Sequence, residues 1–216
     1  MKKFFIITFL VAFCCLGANN FSALAEREDP GNFLERMFKA GGEALKKEQS
    51  FEGKLGVVKN FIAPAVDVDG IGLRALSSFA KIISSQEKDE YIDLFDRHFF
   101  KNNKIINKLA QSKEVRFEQN EGKHGKEIDG NWAKVYGTLW LDGTGYKVWF
   151  SLIWKAEINS WIVVDAGSAE YGLSGCVIVY NTEFSEYMRG NSAKYLISYL
   201  KLKLAGKDPV SRTCDH

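Results

Sequence analysis

Near Glu114 the spacing of apolar residues changes from 3.6 to 2, and this change constrains the fold more than any composition does. Before it the periodicity is helical. Leu34, Met37, Phe38, Gly41 and Leu45 make one face, and Leu55, Val58, Phe61 and Ile62 make a second that stops at Pro64. Asp69 is placed to cap a third helix carrying Leu73, Leu76, Phe79, Ala80 and Ile83. A long fourth helix is predicted through Tyr91, Phe95, Phe99, Ile106 and Leu109. After Glu114, strands are predicted over Val115–Gln119, Trp132–Leu141, Tyr146–Ala156, Trp161–Asp165 and Gly175–Tyr180, with Asp142-Gly143 as a hairpin turn. The chain then returns to helix. "NTEFSEYM" is capped at Asn181 or Thr182, and "NSAKYLISYL" at Asn191 or Ser192, burying Tyr195, Leu196, Tyr199 and Leu200. Helices, then strands, then helices give an α+β domain, with N-terminal helices on an antiparallel sheet and further helices closing it.

The first residues, "MKKFFIITFLVAFCCLGANNFSALA", place two lysines before an apolar run from Phe4 to Leu16 and end on Ala23-Leu24-Ala25. That is the pattern of a secretory signal peptide, 1–25, and the run is shorter than the roughly 20 residues of a membrane span. A soluble domain over 26–216, released by cleavage after Ala25, is expected; a lipid-modified start at Cys14 or Cys15 is the alternative. Of 29 basic residues Lys2 and Lys3 are lost with the signal, leaving an even balance against 27 acidic ones. Such a balance offers no footprint for nucleic acid. Cys176 and Cys214 remain in a compartment that permits disulfides, so they either pair or stand as a buried thiol and a tail thiol.

In "YKVWFSLIW" one strand face takes Val148, Phe150, Leu152 and Trp154, while Trp149 and Ile153 fall on the other. The preceding strand sets Val135, Leu139 and Leu141 against Tyr136 and Trp140. A sheet wet on one side alternates more cleanly than this, so both faces are partly covered or one lines a cavity. Catalytic and metal signals are weak by comparison. "GIGLRA" lacks the strand and βαβ frame of a dinucleotide site, and "DVDG" lacks the remaining calcium ligands. His98, His124 and His216 stand apart from one another and from cysteine, so neither metal nor cofactor is expected. Ser174, in "GLSG", has only part of a nucleophile-elbow pattern; it is read as a turn residue, with a serine hydrolase as the rival.

Taken in order, "VDVDGIGLRAL", "EKDEYIDLFDRHF", "WKAEINSWIVVD" and "YGLS" before "NTEF" resemble the MlaC, or toluene-tolerance auxiliary, family of periplasmic phospholipid carriers over roughly residues 51–204. Two extra residues between Asp165 and Gly172 and a crowded turn at Tyr171 and Gly175 depart from the pattern. The resemblance implies a periplasmic carrier without enzymatic activity. It would hold the tails of a phospholipid between sheet and helices. It would pass lipid between an outer-membrane lipoprotein complex and the lipid-binding subunit of an inner-membrane ABC transporter, in support of outer-membrane lipid asymmetry. Placed on the faces above, the pocket assigns lipid contact to Phe95, Phe99, Ile106, Tyr136, Trp140, Val148, Phe150, Leu152 and Trp154. A non-lipid-binding interaction domain is the third reading.

Overall fold

The computed structural model describes residues 27–121, 125–168 and 174–207. The signal segment, His124, Cys214, His216 and the Gly172-Leu173 part of the turn therefore lie outside the described residues. Helix α1 (Pro30–Lys47) starts on Pro30 with Asp29 accepting from the Gly31 and Asn32 amides, and carries Lys46 and Lys47 in its last turn. Helix α2 (Phe51–Ile62) is capped by Ser50. Helix α3 (Val68–Ala75) is capped by Asp67, two residues before the expected Asp69. The reason is the bridge of Val66 to Val163, which holds the preceding backbone extended and puts Asp67 at the last non-helical position. Helix α4 (Ser85–Asn102) opens on a capping box of Ser84 and Glu87.

The single long helix expected through Leu109 is two helices. Asn103 leaves the helical backbone and caps α5 (Lys104–Gln111), accepting from Ile105 and Ile106. The strands follow: β1 (Val115–Gln119), β2 (Lys126–Asp129), β3 (Trp132–Leu141), β4 (Thr144–Lys155) and β5 (Ser160–Ser168). β2 lies in a stretch without alternating hydrophobics and was not expected. All pairings are antiparallel in the order β1-β3-β4-β5, and β1 and β2 share one edge of β3 in succession. Asp142 and Gly143 turn the β3–β4 hairpin with both φ positive, at 50° and 81°.

The expected strand Gly175–Tyr180 is instead helix α6 (Cys176–Phe184). "CVIVY" is a short apolar run that periodicity alone cannot place. Two tertiary contacts decide it. The Asp165 carboxylate accepts from the Val177 amide at the helix start, and the i, i+4 pair Tyr180 and Phe184 packs on Phe95 with centroids 5.0 and 6.1 Å away. Asn181, expected as a cap, lies inside α6 and donates to the Ala75 carbonyl. Helix α7 (Lys194–Leu204) begins just after Ser192, whose Oγ accepts from the Lys194 amide. It buries Leu196, Tyr199 and Leu200, but Tyr195 faces solvent.

The architecture is thus α+β, an open antiparallel sheet with helices and an apolar pocket against one face. Val135, Leu139, Leu152, Trp161 and Val163 of that face pack with Phe38, Ile71, Phe99 and Ile106 of the helices. A second cluster of Tyr91, Phe95, Tyr180, Phe184 and Tyr199 joins α4, α6 and α7. There α3 comes close: a Cβ on Gly72 would lie 2.6 Å from the Phe95 ring, and Tyr91 donates to the Gly72 carbonyl. No described helix is long and apolar enough to cross a membrane.

Candidate functional site

Two adjoining chambers lie between the sheet and the helices. The inner one, about 80 Å³, is walled by Phe99, Ile106, Leu139, Val148 and Phe150 together with Met37, Phe38 and Val163. The outer one, about 490 Å³, falls within the ~300–1,000 Å³ usual for ligand pockets, and its wall includes His98, Asn102, Lys104, Ser168, Tyr180 and Glu183. Asn103, Ile105, Ala166, Gly167 and Cys176 belong to both. β5 shows the gradient in one strand: Val163 faces only the inner chamber, Ala166 both, and Ser168 only the outer.

Four of the residues assigned to lipid contact, Phe99, Ile106, Val148 and Phe150, line the inner chamber. The other five do not line either chamber. Phe95 is fully buried in the α4–α6–α7 cluster, and Leu152 is fully buried core. Trp154 packs edge-on to Trp161, with the Arg27 guanidinium 5.1 Å from its ring. Tyr136 and Trp140 stand on the opposite face of the sheet, where Lys134 and Arg116 lie over their rings.

The polar wall was not foreseen. His98, read as a lone histidine on a charged helix, is only 3 % exposed. Its Nε2 is 3.5 Å from Glu183 Oε1, and its Nδ1 is 3.0 Å from the amide nitrogen of Asn102, one turn on. Tyr199 also donates to Glu183 Oε1, at 2.5 Å. Burial opposes the Glu183 charge, but the His98 and Tyr199 hydrogen bonds outweigh it and hold the carboxyl below its ordinary range. The legible signal was position: His98 follows Tyr91 by two turns on the stripe that Phe95 and Phe99 also occupy.

Tyr180 receives a hydrogen bond from the Asn103 amide, and burial raises its pKa far above the usual phenol value. Burial first, and then the Asp165 carboxylate, push the Cys176 thiol up to about 12. A thiol so placed stays protonated and packs as a small hydrophobe. Cys176 carries no disulfide among the described residues. Ser174 and Ser168 share the outer chamber with His98, yet both His98 nitrogens already face Glu183 and Asn102.

No protein-family model and no curated protein matches the sequence. Among solved structures the chain is similar to a phospholipid-binding protein from Ralstonia solanacearum, determined in complex with a phospholipid. The TM-score is 0.69 at 14 % identity, and the match covers 83 % of this chain and 98 % of that one.

Proposed function

We propose that this protein is a phospholipid carrier of the periplasm, secreted by the 1–25 signal peptide and folded as one domain over 26–216. The observation that carries the reading is an apolar chamber adjoining a larger one with polar side chains on its wall, both between sheet and helices, in a fold shared with a protein solved with phospholipid. Phe99, Ile106, Val148 and Phe150 receive the tails, and the headgroup stays in the outer chamber. Each methylene removed from water contributes ~0.8 kcal/mol, so the tails supply most of the affinity. At about 80 Å³ the inner chamber must widen to take them. A small neighbouring void of about 30 Å³ shares the Met37, Phe38, Ile62 and Leu109 walls, and Met37 is flexible enough to join the two.

The domain boundary has its own support. Arg27 lies 3.8 Å over the Trp161 ring, and Trp161 donates to the Glu28 carbonyl. The folded body therefore engages the chain just after Ala25. In this reading the carrier performs no chemistry and exchanges lipid with an outer-membrane lipoprotein complex and an inner-membrane ABC transporter.

Native mass spectrometry and solvent extraction of the purified protein test the proposal: bound phospholipid is the expected result, and lipid-free protein from cells sinks it. Val148→Trp, filling the inner chamber, should lower the lipid load several-fold with the fold retained, although overpacking costs ~1–3 kcal/mol.

A further inference from the structure

Ser168 lines the outer chamber at the end of β5, two residues beyond Ala166, which lines both chambers. Its hydroxyl is shut from solvent and has no hydrogen bond, and the residue is 3 % exposed. Buried hydroxyls in folded domains are otherwise paired, so an orphan on a cavity wall is a place for a ligand atom. Charge decides which atom. The lysines and carboxylates on that wall, among the described residues, are Lys104, Lys203 and Glu183. Glu183 is met by Tyr199 and His98 and feels the Lys203 charge, so its demand is satisfied within the protein. Lys104 is exposed and is the first residue of α5, where the positive end of the helix dipole adds to its ammonium. A serine hydroxyl can donate to an oxygen and an ammonium attracts an anion, so the two groups suit an anionic oxygen.

We propose that the outer chamber selects a lipid whose headgroup is a net anion, a phosphodiester without an amine, with Ser168 Oγ and Lys104 Nζ receiving its phosphate oxygens. This rests on the carrier reading above and adds headgroup discrimination to it. An ammonium beside the phosphate gains nothing here: the carboxylate on the wall is engaged, and a second cation would stand near Lys104 and Lys203. The two residues act differently. Ser168, out of water, holds the phosphate of any phospholipid, and Lys104, at the surface, distinguishes net charge.

The test uses delipidated protein equilibrated with vesicles of equal parts phosphatidylglycerol and phosphatidylethanolamine and a smaller share of diacylglycerol, all with identical tails, and reads the bound lipids by mass. Wild type should take phosphatidylglycerol over phosphatidylethanolamine by about fivefold, the upper range of an ion pair open to solvent, and the preference should shrink as salt is raised. Lys104→Gln should bring the two within about twofold, since the pair that separates them is gone. Ser168→Ala removes a hydroxyl that bonds nothing in the protein, so its melting temperature should hold. Its load of both phospholipids should fall about tenfold relative to diacylglycerol, the scale of one hydrogen bond to a charged group. Inorganic phosphate at millimolar concentration should not displace the lipid; displacement would mean that the site takes a free anion, and overturns the headgroup assignment. No preference in wild type, a preference for the amine, one that survives Lys104→Gln, or a Ser168→Ala protein that keeps its load overturns the headgroup site alone. Protein that takes up no lipid overturns the carrier reading and the site together.

Discussion

The two faces of β4 are similarly apolar in sequence and are closed in different ways. On the inner face helices cover Val148, Phe150 and Leu152, and the cover is incomplete over the first two, where the inner chamber opens. On the outer face Trp149 is 9 % exposed, hardly more than Phe150 at 8 %, yet it stands outside the main core. Its ring has the Lys134 ammonium 4.3 Å away, and Arg116 covers Trp140 in the same manner. An apolar strand face therefore does not require a helix layer. Aromatic rings can be shut from water by the stems of long cationic side chains that keep their heads in solvent.

The largest expected effect breaks the inner face. Leu152 is fully buried and pairs with Ala133 and Val163 on the neighbouring strands. Leu152→Ala should cost about 3 kcal/mol by denaturant unfolding, since the cavity left behind cannot collapse against helices on one side and a sheet on the other. Because Leu152 does not line either chamber, the lipid load should stay near wild type. A loss of load as large as that from Val148→Trp would mean that the inner wall extends farther than the cavity does.

Next comes the outer face. The Trp149 ring lies against Gly167, where a Cβ would sit 2.6 Å from ring atoms, so the strand has made room for it. Trp149→Ala should cost about 2 kcal/mol, below the Leu152 figure although the side chain is larger, because water and the lysine stem can resettle where the ring was. A cost above that of Leu152→Ala would place the outer face in the core and end the contrast.

This contrast also marks how far the sequence could be read. The β3–β4 hairpin was legible because two local rules agree, alternation along both strands and Asp-Gly between them. The α+β order was legible from the change of period at Glu114. The break at Asn103 was not, because Phe99 and Ile106 keep the apolar stripe in step across it; the local signal was the polar "NNK" in a helical run. Helix α6 was not legible because Cys176–Tyr180 reads as a strand until Asp165 and Phe95 are brought to it by the fold. Of the lining residues, the sequence reading named Phe99, Ile106, Val148 and Phe150, all on the apolar inner wall. Strand alternation marks Val148 and Phe150 directly. The polar wall assembles His98, Ser168 and Glu183 from three elements, and no spacing in one chain segment encodes that meeting.

The smallest effect sharpens what closes the outer face. Lys134 lies over two rings, 4.3 Å from the Trp149 centroid and 5.3 Å from that of Tyr136. Its charge and its aliphatic stem both contribute, and two substitutions separate them. Lys134→Ala removes both and should cost about 0.5–1 kcal/mol, the range of a surface cation–π contact with its packing. Lys134→Met keeps most of the stem and loses the ammonium, so it should cost about half as much if charge and cover contribute alike. Raising the salt concentration should change neither difference greatly, because contacts of 4–5 Å lie inside the Debye length of ~8 Å at physiological ionic strength. Equal costs for the two variants would assign the whole effect to the charge. A Met variant as stable as wild type would show that the outer tryptophan needs only an apolar cover, and that the faces of β4 differ in who supplies the cover and not in its chemistry.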